Sequence, residues 1–183
     1  MLDAALFTPR RADRAVIAED WIKTFLQRAE WGVLATSLAG QPFVNSNLFV
    51  YVENAHALYL HTAAEGRTVA NLLANPRVCF TVGRMGRLLP AKTALNFSVE
   101  YASVMVFGTA QRVTDSAEAE AALQALLDKY FPHLRPEADY RPIAPEELAR
   151  TAVIRVAIEH WSAKRKQAPE DFPGAFFYEA SHA

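Results

Sequence analysis

Residues 31–52 read WGVLATSLAGQPFVNSNLFVYV, and this stretch decides the fold. Trp31 to Ser37 is rich in strand-forming residues, Leu38-Ala39-Gly40-Gln41 is a turn, and a β-rich run follows from Pro42 to Val52, so the pattern predicts a hairpin. Alternation along its second strand places Val44, Ser46, Leu48, Val50 and Val52 on one face. Phe43, Asn45, Asn47, Phe49 and Tyr51 fall on the other. Polar residues therefore stand mid-strand on both faces. Buried amides and hydroxyls destabilise a fold unless they are hydrogen-bonded. A planar ligand with a polar edge would satisfy Asn45, Ser46 and Asn47, and so would pairing across strands or with the backbone.

Outward from this hairpin, Trp21, Ile22, Phe25 and Leu26 recur at helical spacing within 17–30, which predicts an amphipathic helix against one end of a sheet. On the other side, the turn at 53–56 leads to a short strand, 57–61. A polar loop and a short helix starting near Arg67 or Thr68 follow, and Asn75-Pro76 ends that helix. A strand over 77–82 precedes a basic, irregular stretch around Arg84 and Arg87. Residues 95–109 supply a long kinked strand or two shorter ones, with Gly108 marking a bulge. Asp115 and Glu118 cap a helix carrying Leu123, Leu126, Leu127 and Tyr130 at i, i+3, i+4, i+7 spacing. Four prolines make 130–145 a surface loop before a brief helix through Leu148, and the last strand covers 152–158. Phe172, Phe176, Phe177 and Tyr178 in the tail are costly to leave in water and are expected to dock on a neighbour or partner. Strands and helices do not alternate regularly, which argues against a doubly wound sheet and predicts a mainly β, antiparallel barrel with peripheral helices.

The chain's 183 residues suit one domain, with the helix at about 17–30 and a tail at about 167–183. With 19 basic and 20 acidic residues the net charge is −1, and nothing in the composition points to nucleic acid or a membrane surface. Cys79 is the only cysteine and no histidines or cysteines stand at zinc-site intervals, which suits a reducing cytoplasm. No apolar run approaches the roughly 18–20 residues that span a bilayer.

Among the chemistry-bearing stretches, His61-Thr62-Ala63-Ala64-Glu65-Gly66-Arg67-Thr68 sets an arginine and hydroxyls beside a glycine at a strand-to-helix junction. The unpaired N–H groups and positive dipole end of such a helix, with a guanidinium fork, can hold a phosphate. Helix-start arginines and threonines more often only solvate and cap. Tyr101 and Ser103 in one strand, and Trp161 and Lys164 near the end of another, could border a cofactor. As core or interface residues and a solvated charge run (Lys164-Arg165-Lys166) they would need no ligand. There is no G-x-G-x-x-G, no Walker-type loop and no G-x-S-x-G elbow.

Taken in order, GVLATSLAGQPFVNSNLFVYV, LYLHTAAEGRTVANLLANPRVCFTV, YASVMVFGTAQRV and IEHWSAKR resemble the pyridoxamine-5′-phosphate-oxidase-like FMN-binding split barrels, and within them the nitroimidazole-reductase-like branch. That resemblance covers nearly all of 18–166 and implies a homodimer with FMN at its interface. It implies Arg67 and Thr68 on the phosphate, Asn45, Ser46 and Asn47 facing the ring, and His61 and Thr62 beside ring and ribityl chain. Leu48, Ala63, Gly66, Tyr101, Ser103, Trp161 and Lys164 complete the candidate cofactor-binding set, and no catalytic residue stands out. The tail carries no counterpart of the arginine-bearing substrate motif of true pyridoxamine phosphate oxidases. The function implied is an FMN-dependent oxidoreductase acting on a small molecule. The alternative is a flavin- or haem-binding protein without turnover, with His61 able to approach an iron.

Overall fold

The computed structural model describes residues 4–179. Seven strands and four helices follow in the order α1 (Glu19–Arg28), β1 (Gly32–Leu38), β2 (Gln41–Asn47), β3 (Val50–Val52), β4 (Ala57–Ala63), α2 (Arg67–Ala74), β5 (Arg77–Leu89), β6 (Ser98–Arg112), α3 (Ser116–Tyr130), α4 (Pro145–Ala149) and β7 (Thr151–Lys166). All the strands pair antiparallel, in the order β2-β1-β5-β6-β7-β4-β3.

This order forces closure. β2 and β3 lie at opposite ends of the sheet, where six spacings of about 4.8 Å would hold them about 29 Å apart if it were flat. Only Leu48 and Phe49 separate them in sequence, a link of about 11 Å at most. The sheet must therefore curl until its edges meet, which makes it a split β-barrel with helices on its periphery. The predicted single strand over 42–52 is thus two strands, because the chain leaves β1 at Asn47 and joins β4 from Val50. The interior is filled by Leu34, Phe49, Leu58, Leu60, Phe80, Val104, Val106, Ile154 and Val156, with Ile22 and Leu26 of α1 closing one end.

Several boundaries differ from expectation. β5 continues through the stretch read as irregular, to Leu89, because β6 pairs with it as far as Ser98 despite the shift between Met85 and Leu88. β7 runs to Lys166 rather than Ile158, so Lys164-Arg165-Lys166 belongs to a strand paired with 101–103 of β6. Leu95 lies in a 3-10 turn and β6 starts at Ser98. Gly108 does sit at a bulge between β6 and β7, where a Cβ would stand 1.9 Å from the Ala157 carbonyl oxygen. The helix expected from Ile17 begins at Glu19 and leaves Ile17 exposed.

The tail docks on its own chain. Phe176 exchanges backbone hydrogen bonds with Leu88 (2.7 and 3.2 Å), and Arg87 donates to the carbonyls of Ala168, Pro169 and Glu170. The side chains of Phe176, Phe177 and Tyr178 nevertheless remain exposed. Residues 180–183 of the expected tail lie outside the described residues.

Candidate functional site

The β1–β2 turn is tight because Ala39 and Gly40 both take positive φ (50° and 80°), which sets Leu38 opposite Gln41 and fixes the register of the hairpin. That register brings Thr36 opposite Phe43 and Leu34 opposite Asn45. Helix α2 is tied to this hairpin by buried polar side chains. Asn71 donates to the Thr36 hydroxyl (2.8 Å), Thr36 donates to the Phe43 carbonyl (3.4 Å), and Asn75 donates to the Ser37 hydroxyl (2.9 Å). Asn71 and Thr36 are 2% and 4% exposed, so losing either partner would strand the other in the core. These four residues orient the helix, and the sequence patterns did not single them out. An Asn at i and i+4 on a short helix facing an alternating strand was the signal available.

So oriented, α2 directs its N-terminus toward the Phe43 side of β2. Gly66, the residue before the helix, has φ 146°, which an L side chain rarely adopts, and open space surrounds its Cα. It offers no side-chain cap, and the first helical bond is from Ala70 N–H to the Gly66 carbonyl. The N–H groups of Arg67, Thr68 and Val69 thus have no acceptor within the helix. Arg67 is exposed, with its guanidinium carbon 5.3 Å from the Phe43 ring centroid. Thr68 is 5% exposed, turned toward the protein rather than outward.

On β2, Asn45 and Asn47 share the inward face with Phe43. Asn47 donates to the Asn45 carbonyl (2.8 Å) and accepts a longer bond from the Asn45 amide (3.4 Å), so the pair partly satisfies itself. Ser46 and Leu48 are exposed and belong to the opposite face, with Val44. At β4, strand β3 stops opposite Tyr59, leaving the outer edge of His61, Thr62 and Ala63 without a strand partner, while β7 pairs their inner edge through Val153, Ala152 and Thr151. His61 and Ala63 are exposed and Thr62 is half-buried.

The remaining candidates lie elsewhere. Lys164 is eleven residues along β7 from Val153, the partner of His61, or about 35 Å of strand. Ser103 pairs with Lys164, and Tyr101 with Lys166. Trp161 contacts His56 edge-on at 4.9 Å and lines a groove of about 790 Å³ that His160 also lines. One protomer therefore gathers Phe43, Asn45, Asn47, Gly66, Arg67 and Thr68 at one place, and holds Tyr101, Ser103 and Lys164 at another.

An open helix N-terminus, a free guanidinium, an aromatic face and a pair of amides suit a planar ligand that carries a phosphate.

The solved structures most like the chain include flavocytochrome Anf3 from Azotobacter vinelandii. Its TM-score is 0.76 at 24% identity, over 94% of this chain and 84% of that one. An FAD- and haem-binding protein from Mycobacterium smegmatis gives 0.71 at 22%, over 85% and 74%. A proposed 5-nitroimidazole antibiotic resistance protein from Bacteroides thetaiotaomicron gives 0.68 at 21%, over 82% and 86%. These likenesses establish a common fold. A comparison with curated protein sequences gives no match. The sequence model of one family, described as pyridoxamine 5′-phosphate oxidase, matches residues 18–165, and the chain belongs to that family.

Proposed function

We propose that the protein is a flavin-dependent oxidoreductase that binds FMN and acts on a small molecule. The observation that carries this reading is the uncapped N-terminus of α2, where Gly66 and Arg67 stand beside Phe43 and the Asn45–Asn47 pair. The flavin, when bound, supplies the electron transfer, and the protein supplies binding and orientation. Arg67 and the first N–H groups of α2 hold the phosphate, which the helix dipole also favours. Asn45 and Asn47 hydrogen-bond the edge of the ring, and His61 and Thr62 border it at the unpaired edge of β4. Among solved structures of the same fold are a flavocytochrome and an FAD- and haem-binding protein, which supports a flavin over an unrelated ligand.

Arg67→Ala is expected to weaken FMN binding by about 1.5–3 kcal/mol, the usual range for a hydrogen bond to a charged group, with folding little changed because the side chain is exposed. Titration of the protein with FMN, followed by the flavin absorption bands, measures this. Equal affinity in the two proteins would place the phosphate elsewhere.

A second reading is a carrier of flavin or haem without turnover, favoured by His61, an exposed imidazole at an open strand edge. A Soret band that vanishes in His61→Ala would favour it. Flavin reduction by a nicotinamide donor would favour the enzyme.

A further inference from the structure

Two clefts beyond the opposite end of the β1–β2 hairpin from α2 share one side chain, Arg84. The first, about 390 Å³, lies between the end of α1 and β5, and Trp21, Phe25, Arg28, Glu30 and Trp31 line it. Trp21 and Phe25 stack with ring centroids 5.0 Å apart and planes 16° apart, and the Arg84 guanidinium carbon lies 5.7 Å from the Phe25 centroid. Trp31 stands at the rim, 55% exposed. The second cleft, about 320 Å³, is lined on the far side of Arg84 by Glu100, Tyr101, Arg165, Lys166 and Phe177. Both volumes fall in the range of small-molecule sites, roughly 300–1,000 Å³.

The ladder fixes the spacing of the charges. Arg84 and Arg165 both stand opposite Ala102, one on β5 and one on β7, so their backbones are about 10 Å apart on one face of the sheet. Glu100 is already bound to Arg87, which leaves Glu30 as the one carboxylate without that engagement. Lys166 bonds the Ser98 hydroxyl and Arg165 the Gln167 side chain, both neutral partners. Among the described residues, Arg28, Arg84 and Arg165 make no ion pair.

We propose that the two clefts form one nucleotide site, separate from the phosphate cradle at Arg67, with a flat base against Trp21 and Trp31 and phosphoryl groups at Arg84 and Arg165. Aromatic faces accept the π-face of any base, and guanidinium forks match phosphate oxygens in pairs. An aliphatic acid would leave the aromatic wall unused, and an inorganic anion would occupy only the second cleft.

Isothermal titration of the 183-residue protein as purified, with ADP, pyrophosphate and adenosine as probes, tests this site. Saturable ADP binding is expected, weakened about tenfold or more in Arg84→Ala and in Arg165→Ala, the loss that follows from removing one charge-assisted contact. Trp31→Ala is expected to weaken ADP and adenosine but leave pyrophosphate unchanged. All three side chains are largely exposed, and a circular dichroism spectrum checks that the variants fold. Arg67→Ala, which would impair FMN binding, should leave ADP affinity unchanged. Absence of saturable ADP binding in protein that still binds FMN would overturn the proposal alone. Loss of ADP binding in Arg67→Ala, with Arg84→Ala unaffected, would overturn it too, since ADP would then occupy the flavin phosphate site.

Discussion

Phe49 is the residue at which the chain passes from one half of the barrel to the other, and neither β1 nor β4 pairs its backbone. Two side chains from the end of α3 replace the missing ladder. Its N–H donates to the Tyr130 hydroxyl oxygen (3.1 Å), and its carbonyl accepts from that same hydroxyl (3.0 Å) and from the Lys129 ammonium (2.9 Å). Lys129 also lies 4.1 Å from the Phe49 ring centroid. Burial lowers the Lys129 pKa from 10.5 to about 8, so the folded protein binds that proton less readily than the unfolded chain. Between about pH 8 and 10.5 the unfolded state holds more protons, and stability should rise with pH across that window. In Lys129→Met, which keeps the apolar stem while Tyr130 still serves the carbonyl, chemical denaturation should lose that rise. A slope that persists would assign it to another group. Tyr51 offers a second case, since its hydroxyl is buried and makes no hydrogen bond among the described residues. Tyr51→Phe removes an unpaid desolvation, so its Tm should be unchanged or raised by the equivalent of up to about 1 kcal/mol, whereas a fall would reveal a hidden partner. None of this was legible in the hairpin pattern. Alternation identifies which residues face inward, yet Tyr130 is 81 residues from Phe49, and no local rule connects them.

At the scale of elements, what local chemistry decides was readable and what long-range pairing decides was not. The start of α3 was legible because Asp115 accepts from the Glu118 N–H (2.8 Å), a cap formed within three residues. Its partner departs from the expected reciprocal cap, because Glu118 is drawn off to accept from the Tyr59 hydroxyl (2.7 Å). The far half of β5 was not legible, since Arg84, Gly86 and Arg87 lack apolar alternation and hold strand form through β6. The clamp there is Arg87 with Glu100, at 2.8 Å, their side chains 18% and 13% exposed. Glu100 accepts from Arg87 and from the Ala168 N–H, which lowers its pKa from 4.5 to about 2 and couples the tail to the barrel. A depressed carboxylate stabilises the folded state fully above its ordinary pKa and loses that effect as pH falls toward the folded value. The Arg87–Glu100 clamp should therefore lose its contribution to folding stability between about pH 4.5 and 2, and Glu100→Gln, which weakens the acceptor of the Ala168 N–H, should loosen the tail at neutral pH. Limited proteolysis after residue 167 reads this directly, and a tail equally protected in both proteins would show that the Leu88–Phe176 bridge suffices.

For the whole molecule, we propose a homodimer as the working unit, and the exposed surface supports it. A compact monomer of 20.3 kDa would expose about 8,800 Å², whereas this chain exposes 11967 Å², roughly a third more. Part of the excess is an apolar outer face of the sheet. The register aligns Ser46, Val33, Thr81, Met105 and Ser162 in one row across five strands, and Val44, Ala35, Cys79, Phe107 and His160 in the next. Val44 is 62% and Met105 42% exposed, so most of this face meets water, while Phe7 covers Phe107 and His160 with ring centroids 5.0 and 4.3 Å away. Separated candidate residues agree with this reading, because Lys164 and its partner Ser103 lie about 35 Å of strand from Val153, the partner of His61. A second copy laid on this face by two-fold symmetry would cover it and carry those residues toward the partner's α2. A stable interface buries about 800 Å² per partner, well within the excess. The proposed homodimer has a direct test in Met105→Glu, which sets a charge at the centre of the face without touching the barrel interior. Light scattering should find the parent protein at twice 20.3 kDa and the variant at 20.3 kDa, with FMN affinity reduced in the variant because half of each site is missing. A parent protein that is monomeric and still binds FMN would overturn the shared site. A variant that remains dimeric would move the interface to another face.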